Sequence, residues 1–349
     1  MTSKKSDTPL GRAKSCCCLA LPKSSTYLKL CPVCHRNYPL EAVTCELDGS
    51  RLHRVCVTAE SPQIGQVVGG IELRTLVALG NSSEVWEGAR RDDGRLVIVK
   101  LLHFQRHDME AVCDLCSRFF REAAAVSAIG HPNIVTLLDH GLDPATGQAF
   151  LVFEHLTGET LVDASRRWRM PRDFSVALEV SIQITEGLRQ VHQLGIIHRD
   201  LKPSNIFLSL GPAGVRVKIL DFGLAKIRNT PHLATLTRDM AYGTPAYLSP
   251  EQARGEEPDE ATDIYCLGVL MFELFTGKLP FTGKPMRLIL AHLQKSPPDP
   301  ILLQPELPPP LAQVILTCMA KDKKSRYHDM AQLQTALRAC VLSTPVRQP

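Results

Sequence analysis

The order of local patterns along the chain is the feature that most constrains its fold. Short apolar runs rich in β-branched residues come first; Ile71–Val77, Leu96–Leu102 and Phe150–Phe153 have the length and composition of strands. Helical spacing of apolar residues then appears over residues 176–191, and Asp263–Phe275 is apolar on nearly all sides, which predicts a helix buried in a large domain. A strand-rich part followed by a helix-rich part predicts an α+β protein with two lobes and a cleft between them.

The composition is that of a globular protein. The chain has 349 residues, of which 44% are apolar and 22% charged, so wholesale disorder is excluded. Its best apolar run, Cys266–Phe272, ends at Glu273 and falls well short of the roughly 18 residues that span a bilayer. The apolar stretch Cys16–Leu21 stops at Pro22 and is too short for a signal peptide. We therefore expect a soluble, cytoplasmic protein with no membrane span.

Basic residues and cysteines are both concentrated near the N-terminus. Residues 1–60 hold nine Lys and Arg against five Asp and Glu, whereas the other 289 residues hold 31 of each. The larger part therefore lacks a gross basic surface, and we do not expect nucleic acid as a partner, since that idea would rest on the charge of the N-terminal part alone. Seven of the twelve cysteines lie within residues 16–56, and without an export signal a metal or free thiols are favoured over disulfides.

These shifts in composition divide the chain into five parts. Residues 1–25 are rich in Ser, Lys and Thr without periodicity and are predicted to be a disordered tail, and residues 26–58 form a small cysteine-rich module. Proline and glycines mark residues 59–70 as a linker. The main domain is predicted over residues 71–341, and residues 342–349 form a C-terminal tail.

The main domain carries a set of motifs in a fixed order. Val97–Lys100 reads V-I-V-K, His198–Asn205 reads H-R-D-L-K-P-S-N, Asp221–Gly223 reads D-F-G and Ser249–Glu251 reads S-P-E. Together they resemble the motifs of the eukaryotic-like serine/threonine protein kinases of bacteria, over roughly residues 71–341. The resemblance implies the two-lobed protein-kinase fold, with a small β-rich lobe and a larger helical lobe.

The resemblance also assigns chemical roles. Phosphoryl transfer depends on positioning and charge neutralisation, so the expected residues are charged groups and oxygen ligands. Asp200 is expected to accept or orient the proton of the substrate hydroxyl, Lys202 to contact the γ-phosphate, and Asn205 and Asp221 to bind Mg²⁺. Lys202 after Asp200, and Thr244 in G-T-P-A-Y, favour Ser/Thr over Tyr. The implied function is ATP-dependent phosphorylation of protein substrates on Ser and Thr, with autophosphorylation and a role in signalling.

Further residues are assigned to ATP in the same way. Lys100 is expected to hold the α- and β-phosphates and to be oriented by Glu122, which lies in the helical stretch Arg118–Ile129. Glu154 and Leu156, directly after the third apolar run, are also expected to bind ATP.

The glycine-rich loop departs from the family pattern. Counting back from Val85, the three expected glycines fall at Ala78, Gly80 and Ser83, so two of them are replaced. Glycine lets backbone amides approach phosphate in conformations that a Cβ disfavours, and we therefore expect a weaker grip on ATP. The alternative function is a pseudokinase scaffold that binds partners without transferring phosphate; the altered loop favours it, and the intact catalytic motifs count against it.

Control by phosphorylation is also implied. Arg199 directly before Asp200 is typical of kinases in which a phosphate on the loop Asp221–Glu251 pairs with a basic pocket. Thr235 and Thr237, in the middle of this loop, are the expected acceptors, and Thr230 is an alternative.

Other matches indicate architecture. Asp263 and Gly268 resemble positions in the buried helix that supports the catalytic loop. Glu251 resembles the partner of a late arginine, for which Arg326 fits, and breaking such a pair when buried would cost about 3–5 kcal/mol.

The cysteine-rich module resembles half of a zinc ribbon. Cys31 and Cys34 form a C-x-x-C knuckle, and Cys45 begins a second in which Asp48 replaces the expected cysteine. These four residues are the expected ligands of one Zn²⁺. Competitors for the fourth place are His53 and Cys56, and the alternative is a reduced, metal-free turn segment.

Overall fold

The structure is a computed structural model. It describes residues 27–30, 37–38, 41–46, 49, 51–56, 63–79, 83–102, 120, 123, 126–127, 129–168, 174–212, 214–221 and 245–343. Among these residues, no helix combines the length and the apolar character needed to cross a membrane.

The N-terminal part of the main domain is a six-stranded antiparallel sheet with the order β4-β5-β6-β7-β9-β8. Alternate residues of one central strand, Val97, Val99 and Leu101, are fully buried, as the two-residue period of a strand requires. They pack with Trp86 and Phe150 in a core that belongs to this lobe. The strands are β4 (Val67–Val68), β5 (Ile71–Leu79), β6 (Ser83–Arg90), β7 (Leu96–Leu102), β8 (Leu137–Leu142) and β9 (Ala149–Glu154).

The second lobe is helical and is arranged around one buried helix. Among its largest fully buried side chains are Tyr265, Phe272 and Phe275, all on α4. Helix α4 packs against α2 and α7, and α8 lies along α2. The helices are α1 (Leu161–Trp168), α2 (Phe174–Gln193), α3 (Pro250–Arg254), α4 (Glu260–Thr276), α5 (Pro285–Gln294), α6 (Pro300–Leu303), α7 (Pro309–Cys318) and α8 (Met330–Ser343).

A small three-stranded sheet lies where the two lobes meet. It has the order β10-β11-β12, with β10 (Glu159–Thr160), β11 (Ile206–Gly211) and β12 (Gly214–Ile219). The amide of Ile219 donates to the carbonyl of Asn133 at 2.8 Å, and its carbonyl accepts from Val135 at 3.0 Å. These bonds tie the end of β12 to the segment that leads into β8.

The cysteine-rich module contains an antiparallel sheet of its own. Strands β1 (Tyr27–Leu30), β2 (Asn37–Tyr38) and β3 (His53–Cys56) follow the order β2-β1-β3. Cys45 and Leu52 form a small buried cluster beside it. Strand β3 lies alongside β8 of the small lobe.

The predicted two-lobed architecture is confirmed, and one boundary moves. Val67 and Val68, which the sequence placed in the linker 59–70, form β4 and pair with Ile71 and Glu72 of β5. The sheet of the small lobe therefore begins before residue 71, because a Gly69-Gly70 turn connects two paired strands.

Candidate active site

One buried carboxylate on α4 holds the backbone of the catalytic-loop motif. Asp263, fully buried on α4, accepts a hydrogen bond from the amide of His198 at 2.8 Å and another from the amide of Arg199 at 2.9 Å. Arg199 has φ +66°, in the left-handed region that non-glycine residues seldom adopt. The two bonds to Asp263 therefore stabilise an unfavourable backbone directly before Asp200.

Asp263 stays charged in this setting. Burial alone would raise its pKa, but the hydrogen bond from His192 Nε2 at 2.8 Å and the one from the amide of His198 lower the pKa of Asp263 below its usual value. An ionised carboxylate accepts the two loop amides more strongly than a neutral acid would.

His198 connects the catalytic loop to the chain that leads to Asp221. Its Nε2 lies 3.0 Å from the carbonyl of Leu220, and the amide of Asp200 lies 3.3 Å from its Nδ1. Both contacts are hydrogen bonds when the proton is on Nε2, because Nδ1 then accepts. One side chain thus fixes the spacing between the two motif aspartates.

The side chain of Asp200 is surrounded by donors from its own loop. Lys202 Nζ lies 2.8 Å from Asp200 Oδ2. Asn205 Nδ2 donates to the Asp200 carbonyl at 2.8 Å and approaches Oδ2 at 3.3 Å. Since the nitrogen of the Asn205 amide is committed to Asp200, its oxygen is the atom that remains for a cation.

The two lobes meet at an ion pair. Lys100 on β7 contacts Asp221, which follows β12, through Nζ and Oδ1. In the sheet Lys100 pairs with Val85 of β6 and Leu151 of β9. Asp221 has φ +49°, so its backbone is also left-handed. The structure therefore brings Lys100, Asp200, Lys202, Asn205 and Asp221 to the junction of the lobes, as the motif order predicts.

This donor set fits a magnesium–nucleotide complex. Asp221 and Asn205 supply carboxylate and amide oxygens, which Mg²⁺ prefers, and Lys100 and Lys202 supply positive charge for phosphate. The chemical types of these groups match what Mg²⁺ and phosphate bind, and the roles of the individual residues remain predictions.

The side chain of Glu154 bonds to residues behind the cleft. Its carboxylate accepts from Lys218 at 2.6 Å and from the amide and hydroxyl of Thr136, each at 2.8 Å. Burial would raise its pKa, but these bonds lower the pKa of Glu154. The side chain is thus engaged by Lys218 and Thr136, and the expected contact of Glu154 with ATP stays a prediction. Leu156 is half-buried against the large core.

The phosphate-loop positions do not show the strain that the sequence suggested. Ala78 lies in β5 paired with Val85, and Ser83 lies in β6 paired with Leu102. Among the non-glycine residues that the structure describes, positive φ occurs at Arg199 and Asp221, so neither Ala78 nor Ser83 has it. Neither residue thus has the backbone conformation that a Cβ disfavours, and the affinity for ATP stays a prediction.

Some predicted residues lie outside the described part of the chain. These are Gly80, Glu122, Thr230, Thr235, Thr237, Thr244, Cys31, Cys34 and Asp48. Phe120 and Ala123, on either side of Glu122, are helical and buried, which agrees with the helix expected there.

The predicted structural pair is present. Arg326 and Glu251, both with fully buried side chains, form two hydrogen bonds of 2.8 and 3.0 Å, and Thr262 donates to the same carboxylate at 2.9 Å. Burial would raise the pKa of Glu251, but Arg326 lowers it.

Sequence reasoning missed two connections around the loop. Gln252 Nε2 on α3 donates to the carbonyl of Arg199 at 2.8 Å. His292 on α5 bonds to Tyr265 and to Ala246. The partners are far apart in sequence, and no spacing rule points to them.

Comparison with known proteins agrees with this geometry. The model of the protein kinase domain family matches residues 72–337. Curated relatives include the serine/threonine-protein kinase Pkn1 of Myxococcus xanthus, 34% identical over 298 residues, or 84% of this chain and 42% of that protein. The probable serine/threonine-protein kinase PknB of Lactococcus lactis is 38% identical over 74% of this chain and 40% of its own length.

Another curated protein kinase and a solved kinase-domain structure are also similar to this chain. The serine/threonine-protein kinase PknA of Mycobacterium tuberculosis is 34% identical over 80% of this chain and 63% of its own length. The crystal structure of the M. tuberculosis PknI kinase domain matches with a TM-score of 0.60 at 21% identity, covering 80% of this chain and 99% of that one, which shows the fold. This chain spans less than two thirds of each of these curated relatives. By its matched domain, its motifs and its fold, the chain belongs to the protein kinase family.

Proposed function

We propose that this protein transfers the γ-phosphate of ATP to Ser and Thr hydroxyls of protein substrates, including its own chain, as part of a signalling function. The observation that carries the proposal is the grouping of Asp200, Lys202, Asn205, Asp221 and Lys100 at the junction of the lobes. The relatives named serine/threonine-protein kinases support it.

The residues divide the work. Asp200, oriented by Lys202 and Asn205, accepts or orients the proton of the incoming hydroxyl. Lys100 and Lys202 hold the phosphates. When Mg²⁺ is bound with ATP it neutralises charge on the phosphates, and Asn205 and Asp221 would hold it. The Asp263 carboxylate keeps Asp200 in position through the loop backbone.

Transfer of radioactive phosphate tests the proposal. Purified protein is incubated with γ-labelled ATP, Mg²⁺ and dephosphorylated casein, with Asp200→Asn as the matched inactive variant. We expect label on casein or on the chain itself in the wild type and its loss in the variant. Equal labelling in both would refute the assignment, and absence of label despite ATP binding would favour the scaffold.

We also propose that Thr235 or Thr237 is phosphorylated and pairs with Arg199. In the described part of the chain, Nε of Arg199 is buried and has no hydrogen-bond partner, so an anion there would satisfy it. Phosphopeptide mapping after autophosphorylation tests this. Full activity of Thr235→Ala/Thr237→Ala, or no phosphate at residues 230–237, would contradict it.

We further propose that the cysteine-rich module binds one Zn²⁺ through Cys31, Cys34, Cys45 and Asp48. Cys45 is buried, and the amide of Gly49 donates to its carbonyl at 3.0 Å, so the chain turns tightly at the second knuckle. So short a module needs a metal or another staple to stay folded.

Elemental analysis of the full chain tests the metal proposal. We expect about one equivalent of zinc in the wild type, since four ligands complete a structural site. Cys45→Ser should lower the zinc content, whereas Cys340→Ser, a change in α8, should not. Less than about one-tenth of an equivalent in the wild type would contradict the proposal.

A further inference from the structure

A chain of three hydrogen bonds in the large lobe ends on the main-chain carbonyl of Ala246. Lys321 Nζ lies 3.0 Å from the hydroxyl of Tyr265, and that hydroxyl lies 3.0 Å from His292 Nδ1. His292 Nε2 lies 3.0 Å from the carbonyl of Ala246. The three side chains come from α4, from α5 and from the turn after α7, and Tyr265 and His292 are fully buried.

The direction of every bond is fixed by the chemistry of its ends. A lysine ammonium only donates and a carbonyl only accepts. Lys321 therefore donates to the oxygen of Tyr265, whose O–H donates to Nδ1 of His292, and Nε2–H donates to Ala246. Only the neutral histidine with its proton on Nε2 completes this chain, and burial with the charge of Lys321 lowers the pKa of His292 to about 4.

Aromatic and cationic groups pack around Tyr265 and His292. The ring of Phe281 meets that of His292 edge-on, with centroids 5.0 Å apart, and Lys321 Nζ lies 4.7 Å from the centroid of Phe281. Arg326 stacks over Tyr265 at 4.8 Å. Because Tyr265 and His292 are fully buried, a broken bond would leave a buried polar group unsatisfied.

The carbonyl at the end of the chain belongs to a turn beside the catalytic loop. Ala246 lies in the single helical turn Pro245–Tyr247. Cys266 Sγ lies 3.1 Å from the carbonyl of Tyr247 and 3.8 Å from Gln252 Oε1. The other end of the Gln252 amide holds the carbonyl of Arg199. Cys266 has a single S–H, which donates to the nearer carbonyl of Tyr247, and its contact with Gln252 then connects this turn to the residue before Asp200.

We propose that Lys321, Tyr265 and His292 are positioning residues for the protein substrate, which hold the turn Pro245–Tyr247 as part of the surface on which the substrate lies when its hydroxyl reaches Asp200. The proposal rests on the proposed function. The relay bonds to the turn Pro245–Tyr247 and to none of Lys100, Lys202, Asn205 and Asp221, the described residues assigned to phosphate and Mg²⁺. It therefore acts on the protein substrate rather than on nucleotide binding.

Steady-state kinetics with dephosphorylated casein and with ATP distinguish an effect on the protein substrate from an effect on nucleotide binding. Tyr265→Phe keeps the ring and removes the central hydroxyl, and His292→Leu removes both ends of the histidine link. We expect the KM for casein to rise about fivefold or more, as for loss of one or two buried hydrogen bonds. The KM for ATP should stay unchanged. His292→Gln, whose amide nitrogen can reach Ala246, should restore most of the lost affinity.

The matched control is Tyr327→Phe. The Tyr327 hydroxyl bonds to Thr317, away from the turn. The substitution therefore removes a hydrogen bond in the same lobe and leaves the bond to Ala246 in place. His328→Gln, at an exposed histidine, controls for the histidine change. An equal rise in casein KM in the controls, no rise in Tyr265→Phe, or a rise confined to ATP would overturn the proposal.

A spectroscopic measurement decides the relay independently of catalysis. Nitrogen-15 spectra of histidine-labelled protein should show His292 protonated on Nε2 at neutral pH and altered at Nδ1 in Tyr265→Phe. A proton on Nδ1 would refute the relay. Absence of phosphate transfer in the wild type would instead refute the proposed function.

Discussion

Two residues of the active site adopt a backbone conformation that their side chains disfavour. Arg199 and Asp221 both have positive φ, which costs a non-glycine residue about 1 kcal/mol or more. The carboxylate of Asp263 stabilises the backbone of Arg199 by accepting a hydrogen bond from the Arg199 amide. Asn and Asp tolerate this region better than most residues, so the choice of substitution at Asp221 decides whether a loss of activity can be separated from a loss of folding.

Lys100→Met and Asp221→Asn should remove activity without unfolding the protein. Both residues line the junction of the lobes, and asparagine tolerates the left-handed backbone of Asp221. We expect phosphate transfer to fall at least about 100-fold and the melting temperature to change little. Lys323→Met, which breaks the exposed pair with Asp259, is the control and should keep full activity. Near-wild-type turnover in either active-site variant would show that the site is wrongly assigned.

His292 should make the protein sensitive to acid. A histidine in the unfolded chain takes up its proton near its ordinary value of 6.5, but the pKa of His292 in the fold is about 4. Between these values the unfolded state binds more protons, so the free energy of unfolding falls as pH falls. Between pH 7 and 4.5 we expect wild type to lose about 2 kcal/mol more than His292→Gln.

Urea unfolding at several pH values measures this difference. The titratable groups described around His292 are Lys321 and Tyr265, and both are present in wild type and variant. Parallel stability curves for the two proteins would contradict the prediction.

At the scale of elements, the contact between α4 and α7 leaves no space for a side chain at Gly268. A Cβ there would lie 2.6 Å from Cβ of Cys318 and 3.0 Å from Cγ of Met319. Helix α4 supports the catalytic loop through Asp263, so this close approach sets the position of the loop relative to the helices behind it.

Gly268→Ala should destabilise the large lobe by about 1–3 kcal/mol, as overpacking of a well-filled core does. Gly211→Ala is the matched control, because a Cβ at Gly211 has open space around it. Chemical denaturation gives both values. Equal stability of the two variants would contradict the prediction, since it would mean that α4 and α7 move apart without loss of folding free energy.

The phosphate loop leads to a prediction opposite to the one its sequence suggested. Ala78 and Ser83 are in paired, extended strands, where an alanine or serine costs no backbone strain. Ala78→Gly/Ser83→Gly should therefore leave the KM for ATP within about twofold of wild type, since no strain is relieved. A clear fall in KM for ATP would show that the two side chains obstruct the phosphates directly.

At the scale of the molecule, the sequence predicted the parts that depend on local pattern. The β-branched run Leu96–Leu102 predicted the central strand, and the resemblance of the motif around Asp200 to the kinase pattern predicted the catalytic loop, because both are patterns of adjacent residues. The side-chain commitment of Glu154 to Lys218 was missed, because it depends on how β9 and β12 pack together. The link from His292 to Ala246 was missed for the same reason: the partners are 46 residues apart.

The position of β3 has a consequence for the solution behaviour of the whole chain. Strand β8 is an outer strand of the six-stranded sheet, and exposed outer strands recruit strands from other molecules. Strand β3 lies alongside β8, where Leu138 is 40% exposed. A chain cut to residues 63–343 should therefore self-associate more readily than the full chain, and sedimentation at increasing concentration would show it. Greater self-association of the shortened chain would assign the cysteine-rich module a role in keeping the outer strand β8 from pairing with other molecules.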